Sequence, residues 1–460
     1  MMRGKKATPP GTKTERPVCG GPTSTSRRGR RGAMRARGAA PVGGRGVDLM
    51  ARASPLARPA VATRRVARVA VGAGGGGGDR RALEPPACGA REYCVGHGAM
   101  ARSRRVVPRA LDSSSMHAPP TDDVDWDNLG FSCEHVSKTM MFVARATLGA
   151  DGQTWEWKEE GVGPYGALAM DPSAQCLNYG QSIFEGMKAQ RTKEGNLVLF
   201  RPSENAKRMR DGAARMSMAP PPEDLFLRGV KATVAANAAF VPPNGKGALY
   251  CRPLLLGSGP ILGLGPAPSY TFLVYCSPVG SYFKGGQLDP IRLKVEEVEH
   301  RAAPGGTGNT KCAGNYSPVL NVQLEAKQRG FNDVLYLDAV SNTYVEEVSS
   351  CNIFAVFGNK IVTPSLGTIL PGVTRKSIMD LARSKGFEVE EAPLAIDDVL
   401  RADEVFTTGT AVVLSPVGYI ERGEEGREYQ NTDVAMSLYE ALTGIQQQTM
   451  DDPFGWVVTV

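Results

Sequence analysis

Along the central and C-terminal parts of the chain, apolar residues recur at two spacings, every second position in short runs and every third or fourth in longer ones. "NLVLFRP" (196–202) alternates and halts at Pro202, which predicts a strand. Directly after it, Met209, Ala213 and Met216 fall on one face of a helix. "GALYCRPLLLG" (247–257) and "SYTFLVYCSPVG" (269–280) are apolar runs bounded by Gly and Pro, and both predict strands. The turn-rich "FKGGQLDP" (283–290) follows, and "IRLKVEEVE" (291–299) alternates beyond it as the first strand of a second unit. Val319, Val322 and Ala326 predict a helix over 317–329 that ends at Gly330. "DVLYLD" (333–338) and "NIFAVF" (352–357) read as strands, and Ile378, Leu381 and Ala382 predict a helix over 374–385 closed by Gly386. Val434, Leu438, Leu442 and Ile445 mark the last long helix. Strands and helices interleave without an internal repeat, which predicts a mixed α/β fold. Its natural division is the 281–290 segment, between a unit at 125–280 and another at 291–460.

Composition sets the first 110 residues apart. They carry 24 basic and five acidic side chains, whereas the remaining 350 carry 30 and 42, so the formal +7 of the chain belongs to its leader. An Arg-, Ala-, Gly- and Ser-rich stretch cannot bury enough apolar surface to offset its ordering entropy, and disorder is expected there. Arg-rich, acid-poor leaders of this kind read as organellar transit peptides, with processing expected near 105–125. The leader's length favours a plastid, although composition does not separate plastid from mitochondrion. The acidic body is no match for a nucleic-acid surface, which needs clustered positive charge. No apolar stretch is long enough to predict a membrane span. The body's six cysteines are scattered without a CxxC pair, as expected of reduced, mostly buried thiols, and four histidines are too few and too dispersed to suggest a metal site.

One stretch stands out chemically: "GGTGNTKCAGNY" (305–316), a glycine-rich approach to Lys311. It is not a phosphate-binding loop of the nucleotide type, because that loop needs Gly before the lysine and Ser or Thr after it, where Thr310 and Cys312 stand. "GSGPILGLG" (257–265) fails the dinucleotide pattern at Leu262. Taken alone, Lys311 reads equally well as an exposed loop charge.

Six further strings occur in order around it: "LNYGQSIFEGMKAQR" (177–191), "LFRPSENAKRM" (199–209), "LYCRPLLLG" (249–257), "EVSSCNIF" (347–354), "ILPGVTRKS" (369–377) and "TTGTA" (407–411). Together with Lys311 they resemble the branched-chain amino acid aminotransferases, pyridoxal-phosphate enzymes of fold type IV, over essentially the whole body. The resemblance implies a smaller N-terminal α/β domain (125–280), an interdomain loop (281–290) and a larger cofactor-binding domain (291–460) with a barrel-like sheet. It makes Lys311 the residue that holds the cofactor aldehyde as a Schiff base and afterwards carries the proton; a partly desolvated lysine suits both tasks. Glu347 matches the carboxylate that keeps the ring nitrogen protonated, and strand alternation turns its neighbour Glu346 to the opposite face. Arg208, Val373, Thr374 and Thr410 match the phosphate site, the middle pair at a predicted helix start where free N–H groups favour anions. Tyr316 matches the partner of the ring hydroxyl.

For substrate, the resemblance implies an apolar, aromatic pocket with Tyr179, Phe184, Tyr250 and Tyr282, whose aromatic side chains would otherwise read as core. Arg252 matches the acceptor of the glutamate side chain, and backbone donors at Thr410–Ala411 with the Tyr250 hydroxyl would hold the α-carboxylate. Leu262 and Leu264 would reach a second subunit's site in a homodimer. The implied reaction moves the amino group between leucine, isoleucine or valine and 2-oxoglutarate, with no metal. One methylene in such a pocket is worth only ~1–3 kcal/mol, so all three amino acids are expected substrates. D-amino acid aminotransferases and aminodeoxychorismate lyases would share Lys311 and Glu347, but Arg252 and the "GMKAQR" string argue against them. "TAVVLSPV" (410–417) lacks the CxxC pair of some animal members, so redox control through such a pair is not expected.

Overall fold

The computed structural model describes residues 117–280 and 288–460. The expected transit peptide, Tyr282 and most of the expected interdomain loop lie outside the described residues. The first seven strands are β1 (Met140–Leu148), β2 (Trp155–Pro164), β3 (Ser182–Phe184), β4 (Met187–Arg191), β5 (Leu197–Phe200), β6 (Ala248–Gly257) and β7 (Ser269–Val279). They form one antiparallel sheet in the order β5-β4-β6-β7-β1-β2, with β3 on β6. The single turn α1 (Gln175–Asn178) precedes β3, and α2 (Pro202–Arg215) and α3 (Glu223–Ala236) pack on the sheet. Period explains which face they bury: Leu225, Phe226, Val230 and Val234 of α3 line one stripe, and Phe226 stacks on Phe272 of β7 at 5.7 Å.

The second sheet contains β8 (Ile291–Glu296), β9 (Asp333–Leu337), β10 (Val345–Val348), β11 (Asn352–Phe357), β12 (Lys360–Thr363), β13 (Glu388–Glu391), β14 (Glu404–Gly409), β15 (Val413–Arg422) and β16 (Glu425–Glu428). Six of these close on themselves in the order β10-β9-β8-β15-β14-β11, the last step being the pairing of Glu347 with Asn352. Leu293, Leu335, Val348, Ile353, Val405 and Val417 belong to the core of this barrel. Strands β8 and β9 run parallel, which requires a crossover, and α4 (Val319–Gln328) lies in it. The helices α5 (Val373–Ser384) and α7 (Asp433–Gln446) share a cluster against Phe354 and Phe406, and the short α6 (Ile396–Val399) caps the barrel core.

The alternating run at 291–299 stops early, at Glu296, because the Glu296 carboxylate accepts the N–H groups of Val298 (2.9 Å) and Glu299 (3.2 Å) and turns the chain. A last strand, β17 (Val457–Thr459), returns to the first sheet and pairs with β5. Among the described residues no cysteines are paired, and Cys133 is the exposed one. No described helix is long and apolar enough to cross a membrane.

Candidate active site

Lys311 lies between β8 and α4 on a loop fixed from both sides. The Phe184 N–H donates to the Lys311 carbonyl at 3.0 Å and Ile183 bridges Cys312, so β3 of the first sheet holds a loop of the barrel. The Asn315 amide donates to the carbonyls of Thr307 (2.6 Å) and Thr310 (2.8 Å), which closes the loop on itself. The Lys311 Nζ then stands 3.2 Å from the Tyr316 hydroxyl and 4.7 Å from the centre of the Phe184 ring. It opens onto a cavity of about 840 Å³, lined also by Phe131, Tyr250, Arg252, Thr410 and Ala411. A half-buried lysine on a cavity wall, its amine beside two aromatic rings, is not the solvated loop charge that the sequence left open.

Glu347 is 2 % exposed on β10, with Arg301 Nη1 2.6 Å from its Oε1. The Leu370 N–H (3.0 Å) and the Asn352 amide (3.2 Å) donate to the same carboxylate. Burial pushes the Glu347 carboxyl up to about 7, against the opposing pull of Arg301 and Lys311. Glu346 points elsewhere and accepts a hydrogen bond from the Thr368 hydroxyl.

Arg208 projects from α2 into a buried ion pair. Its Nε and Nη2 each lie 2.7 Å from an oxygen of Glu185, and its Nη1 donates to the Pro371 carbonyl at 3.0 Å. Such a fork is the strong form of a charge-assisted pair. Close by, α5 begins at Val373, and no side chain caps its first N–H groups. Val373 and Thr374 line a narrow cavity of about 30 Å³ with Asn205, Gly186 and Thr410. Thr410 borders both this cavity and the Lys311 cavity, so it joins the helix start to the lysine.

The Tyr250 hydroxyl passes over Gly186, where an added Cβ would lie 2.2 Å from it, so only glycine admits the phenol. Arg252 sits 4.9 Å over the Phe184 ring, and its Nη2 donates to the Tyr250 hydroxyl at 3.4 Å. The Arg252 Nε has no hydrogen-bond partner among the described residues. The Ala411 carbonyl accepts from Lys188 Nζ at 2.6 Å; Lys188 lies directly opposite Tyr250 in the β4–β6 ladder. Burial lowers the Lys188 pKa to about 8, and no carboxylate forms an ion pair with it among the described residues.

Lys311, Tyr316, Phe184, Tyr250, Arg252, Thr410 and Ala411 therefore share one cavity, with Glu347, Arg208, Val373 and Thr374 around it. Tyr179 is not with them. It closes α1 just before the turn at Gly180 (φ 66), stands 50 % exposed and donates its hydroxyl to the Leu262 carbonyl at 3.3 Å. Four residues of the site went unmarked in the sequence: Glu185, Lys188, Arg301 and Phe131. The first two lie inside the "FEGMK" string, but nothing in a lone Glu or Lys beside glycine announces a buried charge. Arg301 has no local signal at all.

Comparison with known proteins bears on the chain as a whole. Residues 182–420 match the amino-transferase class IV family. The chain is 53 % identical to branched-chain amino acid aminotransferase 2, chloroplastic, of Humulus lupulus over 340 residues, 73 % of this chain and 81 % of that protein. It is 52 % identical to the chloroplastic branched-chain-amino-acid aminotransferase 2 of Arabidopsis thaliana over 362 residues, covering 78 % and 90 %. In three dimensions it resembles the branched-chain aminotransferase of Thermoproteus uzoniensis with norvaline, at a TM-score of 0.57 and 25 % identity, over 70 % of this chain and 99 % of that one. A branched-chain aminotransferase crystallised with pyridoxamine 5'-phosphate gives a TM-score of 0.58 at 26 % identity, over 70 % and 98 %. On these matches, the chain belongs to the class IV aminotransferases and stands among their branched-chain amino acid members.

Proposed function

We propose that the protein transfers the amino group reversibly between L-leucine, L-isoleucine or L-valine and 2-oxoglutarate, giving branched-chain 2-oxo acids and L-glutamate, through pyridoxal 5'-phosphate bound at Lys311. The observation that carries this reading is the Lys311 amine on the wall of an aromatic cavity, with the buried Glu347 and the uncapped start of α5 around it. These residues fit the cofactor's chemistry: an amine for the aldehyde, a carboxylate for the ring nitrogen, Tyr316 for the ring hydroxyl, and N–H groups with Thr410 for the phosphate. When bound, the cofactor supplies an electron sink for the electrons released at the substrate's α-carbon.

The chain's own residues do the rest. The Lys311 Nζ, freed by the incoming amine, takes the α-proton and returns one on the other side of the transfer. Glu347 holds a proton at the ring nitrogen, and Arg301 pulls that carboxylate toward its ionised form against the effect of burial. Arg208 spends three of its N–H groups on Glu185 and Pro371, which leaves one on each terminal nitrogen for a phosphate. Phe184, Tyr250 and Phe131 exclude water from the reacting carbon. Arg252 on the cavity wall brings positive charge there and suits the glutamate side chain, while Thr410–Ala411 and Tyr250 hold the α-carboxylate. A methionine aminotransferase of Arabidopsis thaliana is also a relative, but at 40 % identity against 53 %, which favours the branched-chain side chains.

Two domains, 125–280 and 291–460, meet at this site, and the enzyme works as a homodimer in which Leu262, Leu264 and Tyr179 face a second subunit. The protein is an organelle enzyme, of the plastid first, in line with its chloroplastic relatives at 53 %, 52 %, 50 % and 49 % identity, beside which mitochondrial relatives stand at 49 % and 46 %. An absorbance spectrum of purified protein, before and after L-leucine, tests the reading. The aldehyde-form band should be present and disappear on addition of leucine, and be absent in Lys311→Ala. An unchanged spectrum in the unmodified protein would refute it.

A further inference from the structure

Apart from Phe131, the segment between the leader and β1 has no place in the reaction so far, yet it is bound to the first sheet along its length. Arg191 of β4 is 7 % exposed, and its Nη2 donates to the carbonyls of Ala118 (2.9 Å) and Ala238 (2.7 Å). The Thr121 N–H donates to the Ala239 carbonyl at 2.8 Å, and Trp126 Nε1 closes a turn on the Thr121 carbonyl at 3.1 Å. Val124 is 4 % exposed. Further along, Asp127 pairs with Lys246, the Gly280 N–H donates to Gly130, and the Ser277 hydroxyl donates to Ser132 at 2.9 Å. Between the last two contacts Phe131 lies edge-on to Tyr250, ring centres 5.2 Å apart, and forms part of the cavity wall. Residues 118–132 therefore form a strap whose far end belongs to the active site.

We propose that the organellar processing cut falls at or before the His117–Ala118 bond, so that the mature enzyme keeps the whole strap from Ala118 and with it the Phe131 wall. This rests on the organelle-targeted reading and narrows it. The step is hydrolysis of one peptide bond by a processing endopeptidase. Water supplies the hydroxyl that makes the leader's new carboxylate, and its protons go to the new α-amine. A cut inside 119–126 would strip the Ala118 carbonyl from Arg191 and leave a buried guanidinium with one acceptor fewer. Charge argues for a cut some residues upstream of Ala118 rather than immediately at it. A new ammonium at Ala118 would stand beside the Arg191 cation, whose presence, after burial, already depresses the His117 imidazole.

The full-length precursor, incubated with plastid stromal extract, should give a product whose first residue is 118 or earlier. In parallel, a foreign protease site placed after residue 112 or after residue 121 allows the folded full chain to be cut at will. The cut after 112 should leave melting temperature and leucine KM unchanged. The cut after 121 should lower the melting temperature by ~3 °C or more and raise KM about threefold with kcat within twofold. A processed N-terminus within 119–132, or identical behaviour of the two cut chains, overturns the strap. An uncleaved Met1 in the organelle would overturn cleavage and the targeting reading together, a result distinct from the first two.

Discussion

Arg301 and Glu347 meet with 1 % and 2 % of their side chains exposed, and that isolation decides how the pair responds to pH. Burial raises the Glu347 carboxyl from 4.5 to about 7, so the folded protein without cofactor binds a proton that the unfolded chain has already lost. The group's contribution to stability is therefore complete below pH 4.5 and is lost as pH rises through about 7. Arg301 limits that loss by pairing with the ionised form. Arg301→Met should then cost about 3–5 kcal/mol at pH 8, where a buried carboxylate is left without its cation. At pH 5 the carboxyl is protonated in the folded state and the cost should be clearly smaller. Chemical denaturation of the cofactor-free variant and parent at the two pH values measures this. Equal losses at both would mean that the pair is not what stabilises Glu347.

Helix α5 and strand β11 are coupled through one side chain. Asn352 donates to Glu347 at 3.2 Å and to the Leu370 carbonyl at 3.0 Å, and Gly372 packs so closely that an added Cβ would lie 2.1 Å from Asn352 Oδ1. Gly372→Ala must displace Asn352, a strain of about 1–3 kcal/mol, and so disturb the ring-nitrogen end of the site from its phosphate end. Affinity for pyridoxal phosphate, read by spectral titration, should fall about tenfold, the equivalent of ~1.4 kcal/mol. Gly367→Ala, with open space around the added methyl, should bind as the parent does. Nothing in "ILPGVTRKS" marks this contact, although the helix that follows is plain in the periodicity. Long elements with a single buried face were legible for that reason: α3 aside, the strands β6 and β7 and the helices α4, α5 and α7 lie within a few residues of their expected bounds. The barrel was expected through the resemblance and not from the run of apolar residues, because its closure depends on the single pairing of Glu347 with Asn352 across a turn. The resemblance singled out Lys311, Arg208 and Thr410, but their partners, Tyr316 apart, come from distant segments, and only folding brings Glu185 to Arg208 or Arg301 to Glu347.

At the scale of the whole molecule, the C-terminus and one loop bear on the same assembly. The last strand returns from the barrel side to β5, and the Arg201 N–H, at the head of α2, donates to the Trp456 carbonyl at 2.8 Å. The Arg201 side chain covers the Trp456 ring at 4.7 Å and reaches Ser377 of α5 at 2.9 Å. The helix that carries Arg208 and the helix with the uncapped N–H groups at Val373 are thus pinned to each other by the C-terminus. The 259–266 loop is pinned as well, since the Gln175 amide donates to the carbonyls of Gly263 (2.8 Å) and Gly265 (2.6 Å). Yet this held loop presents Leu262 and Leu264 to solvent at 90 % and 84 % exposure, beside Leu177 and Tyr179. Apolar side chains fixed outward by buried polar contacts are costly in a monomer, and the second copy of the chain proposed above would cover them. The double substitution Leu262→Asp, Leu264→Asp should sediment as a monomer at about 1 μM, where the parent sediments as a dimer, with its melting behaviour otherwise that of a folded chain. Leucine turnover should fall about tenfold or more, because the side chains that close the neighbouring site are gone. A dimer of unchanged activity would remove this loop from the interface and leave its exposed leucines without a role.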